Sequence, residues 1–560
     1  MKNNVIHKIL FFCLPLFFTM VYGKHFEEKN NMKKSYENFL DRFIPVLEEK
    51  VKLQNQASWI LETTGAKDAV DILAYLHTQC CLMFSNKDDY EMLVQLQKSG
   101  EIKDLLQQRE INVLIREFKP NMISPDLIKE ISEKEAALSQ KYASFRPKFE
   151  GQEITENGIR NILMIEKSPE RRQKVWETSK EIGSHIARDI LELVDLRNKA
   201  AQSLGYSDFF SMQIDLQEVD RNWLFSTLDE LANRSEKAYD ALIEEIGKKQ
   251  AEEFSVEIEQ LGPWAWREPY GQEDPLISHE MESVVDKANL VEIAKKFYQE
   301  MGFDITNILA RSDLYERSGK NQHAFCINID RKKDVRTLNN IRPTMRWMET
   351  LLHEMGHAVY ELGFDVNLPW LLRSPPHMIP TEAMALIAGR QVYSPLFLKE
   401  FIPQAREQEA LLKELEKSLI RRQMLFSRWV IVMTHFESEL YKNPQQDLNS
   451  LWWKMVEKYQ KIRPPQGREK KEDWAAKYHM GLAPVYYYSY LIGEMFASAL
   501  KQKLKEETKS DRFWSFDSGR FLEKELFSPG DSYSWDKLIE KVLQKPLNCD
   551  PWLAEFAQVR

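Results

Sequence analysis

The chain has 560 residues, with 86 acidic against 77 basic side chains, a formal net charge of −9 and charges well mixed in sign. That balance offers no basic patch for a phosphate backbone, which excludes nucleic acid as a partner. With 20 glycines, 23 prolines, no low-complexity tract and no repeat, punctuation is too sparse for a turn-rich β protein, and residues 24–560 read as one domain.

In chain order, Lys2 and Lys8 give the N-terminus a positive start, and an apolar run follows from Ile9 to Tyr22. Its 14 residues are too short to span a bilayer comfortably, and Val21-Tyr22-Gly23 offers a cleavage point, so residues 1–23 are predicted to be a signal peptide, with an uncleaved anchor as the alternative. The product is expected to be secreted or periplasmic, with no stable membrane insertion after cleavage. Cys80, Cys81, Cys326 and Cys549 would remain. Export permits disulfides, but adjacent Cys80 and Cys81 and an apolar setting for Cys326 suit free thiols equally well.

Helical signals dominate. Ser124-Pro125-Asp126 starts one helix, and Ser168-Pro169-Glu170 starts a long amphipathic one reaching Gly205. The segment 404–442 reads as a long helix, and Asp447 can cap the helix carrying Trp452-Trp453. Residues 322–330, QHAFCINID, have the β-branched and apolar character of a strand. The fold class is therefore all-α, mainly helical, with a little sheet near His323.

The chemistry concentrates at His353-Glu354-Met355-Gly356-His357. Two histidines four apart lie on one helix face and can reach one metal ion, and the intervening glutamate can handle the proton of an attacking water. Pro343-Thr344-Met345 opens this helix and Gly363 is a plausible C-cap. Met348, Leu351, Leu352, Met355, Val359 and Leu362 make it apolar, and buried histidines need partners. Zinc with two histidines wants a third protein ligand. Glu382, which opens an apolar helical run 25 residues past His357, is the leading candidate, with His377 as competitor. No histidine follows six residues past His357, which excludes metzincin spacing.

These residues resemble a secreted metallopeptidase of the angiotensin-converting-enzyme type, within the larger group that includes thimet oligopeptidase. The resemblance extends to 193–206, LVDLRNKAAQSLGY; to Gln322-His323-Ala324-Phe325; to Trp452-Trp453 with Pro464-Pro465; and to Ala476-Lys477-Tyr478-His479 with the tyrosines from Tyr486 to Tyr490. It implies one zinc per chain, held by His353, His357 and Glu382, with Glu354 as catalytic base. It implies a two-lobed body around a deep substrate channel with the small sheet beside the active site. His479 and Tyr490 would stabilise the oxyanion, with Tyr486 as the alternative to Tyr490. His323 and Ala324 would align the peptide backbone, and Lys477 with Tyr487 would grip a free C-terminus.

The implied activity is hydrolysis of oligopeptides, releasing C-terminal dipeptides. The alternatives are an endo-acting oligopeptidase and, from another class, a catalytically idle binding protein on the same fold. Trp266 stands where the family has a glutamine contact to the carboxylate. Val456 and Ser489 replace two arginines of the family's chloride sites. Leu386 stands where an acidic partner of the metal site is expected.

Overall fold

The computed structural model describes residues 10–278, 281 and 283–558; of residues 10–31 it gives the backbone alone. Of the signal peptide expected over 1–23, residues 1–9 lie outside the described residues, and for the rest the backbone alone is described. No helix among the described residues is long and apolar enough to cross a membrane. The expected mainly helical class holds, with two small two-stranded sheets. Cys80, Cys81, Cys326 and Cys549 are free thiols.

Backbone proximity divides the chain into two units. The smaller runs to Leu61 and adds Ala66–Met122 and Pro369–Leu372. Its helices Lys87–Ser99 and Leu105–Phe118 are capped by Asn86 and Asp104, whose side chains accept backbone N–H bonds from Asp89 and Gln107. Phe43, Phe84 and Phe118 pack ring to ring at 5.2–5.6 Å in its core.

The larger unit, Glu62–Gly65, Ile123–Leu368 and the chain from Arg373, carries all the chemistry-bearing residues. Helix α1 spans Pro169–Ser203, where the serine-proline signal predicts it; Ser168 Oγ accepts from the Arg171 N–H at 3.3 Å. The strand expected over 322–330 is shorter. Strand β1, Phe325–Asn328, pairs antiparallel with β2, Val335–Leu338. Asp330 ends it by accepting N–H bonds from Lys332, Lys333 and Asp334 at 2.9–3.1 Å, which commits that segment to a turn.

Helix α2 spans Met345–Leu362, and Thr344 caps it by accepting from the Trp347 N–H at 3.2 Å. Gly363 follows as the C-cap, its N–H donating to the Tyr360 carbonyl, with φ −81° rather than a left-handed conformation. The glycine is there for packing, since a Cβ would fall 2.6 Å from Phe527 Cβ. Helix α3 is Met378–Gly389. Helix α4 begins at Glu409, later than expected, because Pro403–Ala405 forms a separate 3₁₀ turn, and runs to Lys442. Helix α5, Leu448–Gln460, is capped by Asp447 as expected. Helix α6 is Tyr488–Thr508.

Small residues bring α2, α3 and α6 together. A Cβ on Gly356 would lie 2.8 Å from Ala385 Cα, and one on Gly493 would lie 3.3 Å from Glu382 Cβ. Backbone thus meets backbone between the two histidines and beside the candidate third ligand. On an exposed helix, Gly→Ala stabilises by about 1 kcal/mol. At Gly356 the clash is with backbone, which no rotamer change relieves, and overpacking costs about 1–3 kcal/mol. Gly356→Ala should therefore lower the thermal midpoint; a raised midpoint would mean that α2 and α3 are not in contact.

Candidate active site

His353 and His357 stand one turn apart on α2, with Nε2 atoms 3.2 Å apart. Glu382 on α3 brings Oε2 to 3.6 Å from His353 Nε2 and 3.9 Å from His357 Nε2. Among the described residues this is the one trio of ligand-type side chains whose donor atoms lie within 4.8 Å of one another. A tetrahedral zinc with donors at about 2.0–2.2 Å sets them roughly 3.3–3.6 Å apart, so the spacing fits a single ion. The charge balance fits as well. Glu382 and Glu354 are 6% and 7% exposed. Burial pushes both carboxyls up to about 8, and Glu382 adds to the shift on Glu354. Burial pushes His353 down to about 4 and His357 well below its ordinary value. A cation at the trio would supply the charge that these groups lack.

The support is built in. His357 Nδ1 meets Thr381 Oγ1 at 2.7 Å. With Nδ1–H as donor, Nε2 is left bare and aimed at the trio. One turn before His353, Glu349 accepts from Arg422 at 2.6 and 2.7 Å and from the Tyr393 hydroxyl at 3.1 Å. On α6, Glu494 pairs with Arg390 and accepts from Gln423 Nε2 at 2.8 Å, and its charge adds to the upward shift of Glu382. His377, the competing ligand, is engaged elsewhere. Its Nδ1 accepts the Ile379 N–H at 3.1 Å, capping α3, and its Nε2 faces Gln217 and Tyr488.

The trio opens into a cavity of about 920 Å³ whose wall includes Glu354, Ala324, Tyr486 and Tyr490. Tyr490 lies with its ring 5.2 Å from Tyr486 and 5.3 Å from Tyr487. The residue before Tyr486, Val485, holds φ at +54°, rare for a β-branched side chain. Glu437 Oε1 accepts its N–H at 2.7 Å, and Gln217 Nε2 donates to its carbonyl at 3.2 Å, which together pin the start of the tyrosine segment.

His479 stands behind the wall, its ring 4.6 Å from Tyr487 and 6.4 Å from Tyr490. Burial, then the nearby Lys477 charge, pushes it down to about 3, so it is a neutral imidazole at ordinary pH. Lys477 Nζ lies over the Tyr270 ring at 4.5 Å and 5.9 Å from the Tyr487 centroid, with no ion pair among the described residues. His323 is exposed in a bend before β1 and does not line the cavity, whereas Ala324 does.

Sequence reasoning passed over Gln272 and Thr381. Trp266, read as replacing the family glutamine, is buried away from the cavity wall. Gln272 lines that wall instead, and its Oε1 accepts from the Tyr487 hydroxyl at 3.3 Å. No spacing signal marks Gln272, but Thr381 was legible as the residue adjoining the third ligand.

Residues 162–558 match the family model described as peptidase family M3. The chain belongs to peptidase family M3. This M3 peptidase is 22% identical to angiotensin-converting enzyme of Haematobia irritans exigua over 68% of the chain and 69% of that protein. It is 26% identical to angiotensin-converting enzyme of Theromyzon tessulatum over 39% of the chain and 37% of that protein. It is 25% identical to carboxypeptidase 1 of Bacillus subtilis over 46% of the chain and 52% of that protein. The chain is accordingly a metallopeptidase related to the converting-enzyme type.

Thr381→Val keeps the shape of the side chain but removes the hydroxyl at His357 Nδ1. Loss of such an outer partner typically weakens metal affinity about 10–100-fold. Competition against a chelating dye should show that loss; unchanged affinity would mean that Thr381 does not orient the ligand.

Proposed function

We propose that this M3 peptidase is a secreted, zinc-dependent hydrolase of short peptides that releases C-terminal dipeptides. The observation that carries the reading is the His353, His357 and Glu382 trio opening, with Glu354, into one cavity. Zinc held by the trio would supply Lewis-acid polarisation of the scissile carbonyl and a nucleophilic water at neutral pH. Glu354 takes the proton of the attacking water and returns it to the leaving nitrogen. The hydroxyl of Tyr490 donates to the developing oxyanion, with His479 packed behind it. Ala324, on the cavity wall just before β1, meets the substrate backbone, and His323 approaches it from the adjoining bend.

Lys477, Tyr487 and Gln272 form the C-terminal subsite. Lys477 supplies an unpaired cation, Tyr487 a hydroxyl, and Gln272 the amide that sequence reading assigned to no residue. Lys477 and Tyr487 lie behind the cavity wall rather than on it, and this favours a second reading, an endo-acting oligopeptidase indifferent to the terminus. An idle binding protein would have no need of Glu354 beside three intact ligands.

Glu354→Gln should retain the metal and lose about a hundredfold to ten-thousandfold in turnover, checked by metal analysis and product chromatography; near-normal turnover would reject the base. Free-acid and amidated peptides decide the mode. Removing one side of a desolvated charge pair costs about 2–5 kcal/mol, so amidation should sharply lower kcat/KM, and mass spectrometry should find dipeptide products. Equal cleavage of both at internal bonds would establish the endo-acting reading.

A further inference from the structure

We propose that Glu361 recognises a cation on the substrate, selecting peptides that carry an ammonium or guanidinium about two residues to the N-terminal side of the cleaved bond. This rests on the peptidase reading of the cavity.

Glu361 continues the face of α2 that carries His353 and His357, at the same four-residue step, and lines the same cavity beside Cys326. Five glutamates line the wall among the described residues. Glu354 and Glu382 belong to the metal centre. Glu273 is paired with Arg160 at 2.7 Å, and Glu494 with Arg390. Arg422, the arginine of the wall, is taken by Glu349. Glu361 has no ion pair among the described residues. Asn328 Nδ2 donates to its Oε2 at 3.0 Å, which fixes the carboxyl without neutralising it. Burial pushes Glu361 up to about 7, against smaller opposing effects of the Asn328 hydrogen bond and then the Arg331 charge, so a bound cation would gain from a carboxylate short of compensation.

Direction along the cavity gives the position. Glu273, next to Gln272, feels the charges of Arg422 and Arg346, and Arg422 pairs with Glu349 on the first turns of α2. The C-terminal subsite therefore lies by the N-terminal half of α2, and Glu361 lies at its other end. A peptide with its terminus at Gln272 runs past His353 and His357 toward Glu361. Four helical residues advance about 6 Å, the length of roughly two residues of extended peptide.

The test uses the full-length, zinc-loaded protein and N-acetylated peptides that differ only in carrying lysine, norleucine or glutamate at that position. A norleucine peptide with a free N-terminus is included. The unmodified enzyme should favour lysine over norleucine by about tenfold in kcat/KM, in line with one charge pair. In Glu361→Gln the ratio should fall to about one, and in Glu361→Lys the preference should turn to glutamate. An advantage confined to the free-amine peptide assigns the site to the N-terminal ammonium, and an advantage of acetylated lysine assigns it to the side chain. A lysine advantage equal in the unmodified enzyme and Glu361→Gln overturns the proposal. Dissociation constants of the same peptides, labelled and measured by fluorescence anisotropy in the Glu354→Gln background with and without Glu361→Gln, read the preference without turnover. A preference lost with Glu361 in binding, alongside absent cleavage of every peptide, would sink the peptidase reading and leave the cation site standing.

Discussion

Burying carboxyl and imidazole groups together, without the water that would solvate their charge, is the constraint on which the rest of the large unit depends. Each charged group near the trio has its own answer to that cost. Glu349 is met by Arg422 and Tyr393, and Glu494 by Arg390 and Gln423. Glu354 and Glu382 are left with raised affinity for protons, the state in which an added cation is most favoured. The outer pairs are closed, which leaves the deficit at the trio and, one helical turn further along the same wall, at Glu361.

The same logic governs the tyrosine segment. A valine in the left-handed region costs about 1–3 kcal/mol and persists only where its surroundings over-determine it. Glu437 and Gln217 do so at Val485, one accepting its N–H and the other donating to its carbonyl. Gln217 also accepts from the Tyr488 hydroxyl at 2.6 Å, so the residue that holds Val485 helps to start α6. Strain stored before Tyr486 is thus exchanged for the placement of Tyr486 and Tyr490 on the cavity wall.

Much of this was legible in the sequence, for stated physical reasons. Helical periodicity and capping residues gave α1, α2 and α5, because those signals are local. The spacing of His353 and His357 and the lone Glu382 before an apolar run pointed to three side chains that the structure brings together, because a shared metal would constrain few residues tightly. The length of β1 was over-read, since side-chain turns at Asp330 compete with strand pairing. Gly363 caps α2 as read, but the need for glycine there is steric and comes from Phe527, distant in sequence. Gln272 was missed because its role is set by a contact with Tyr487 across 215 positions, to which no local pattern points.

Thr381 and Glu382 are neighbours in the chain, one steering His357 and the other completing the trio. Any sliding of α3 along α2 would therefore displace one member of the trio and the partner that orients another in the same movement. Gly356, packed against Ala385, sets the register at which both are in place. A metal held by the trio would therefore couple its own retention to the docking of these two helices, and chelation and local unfolding here would be two routes to the same state.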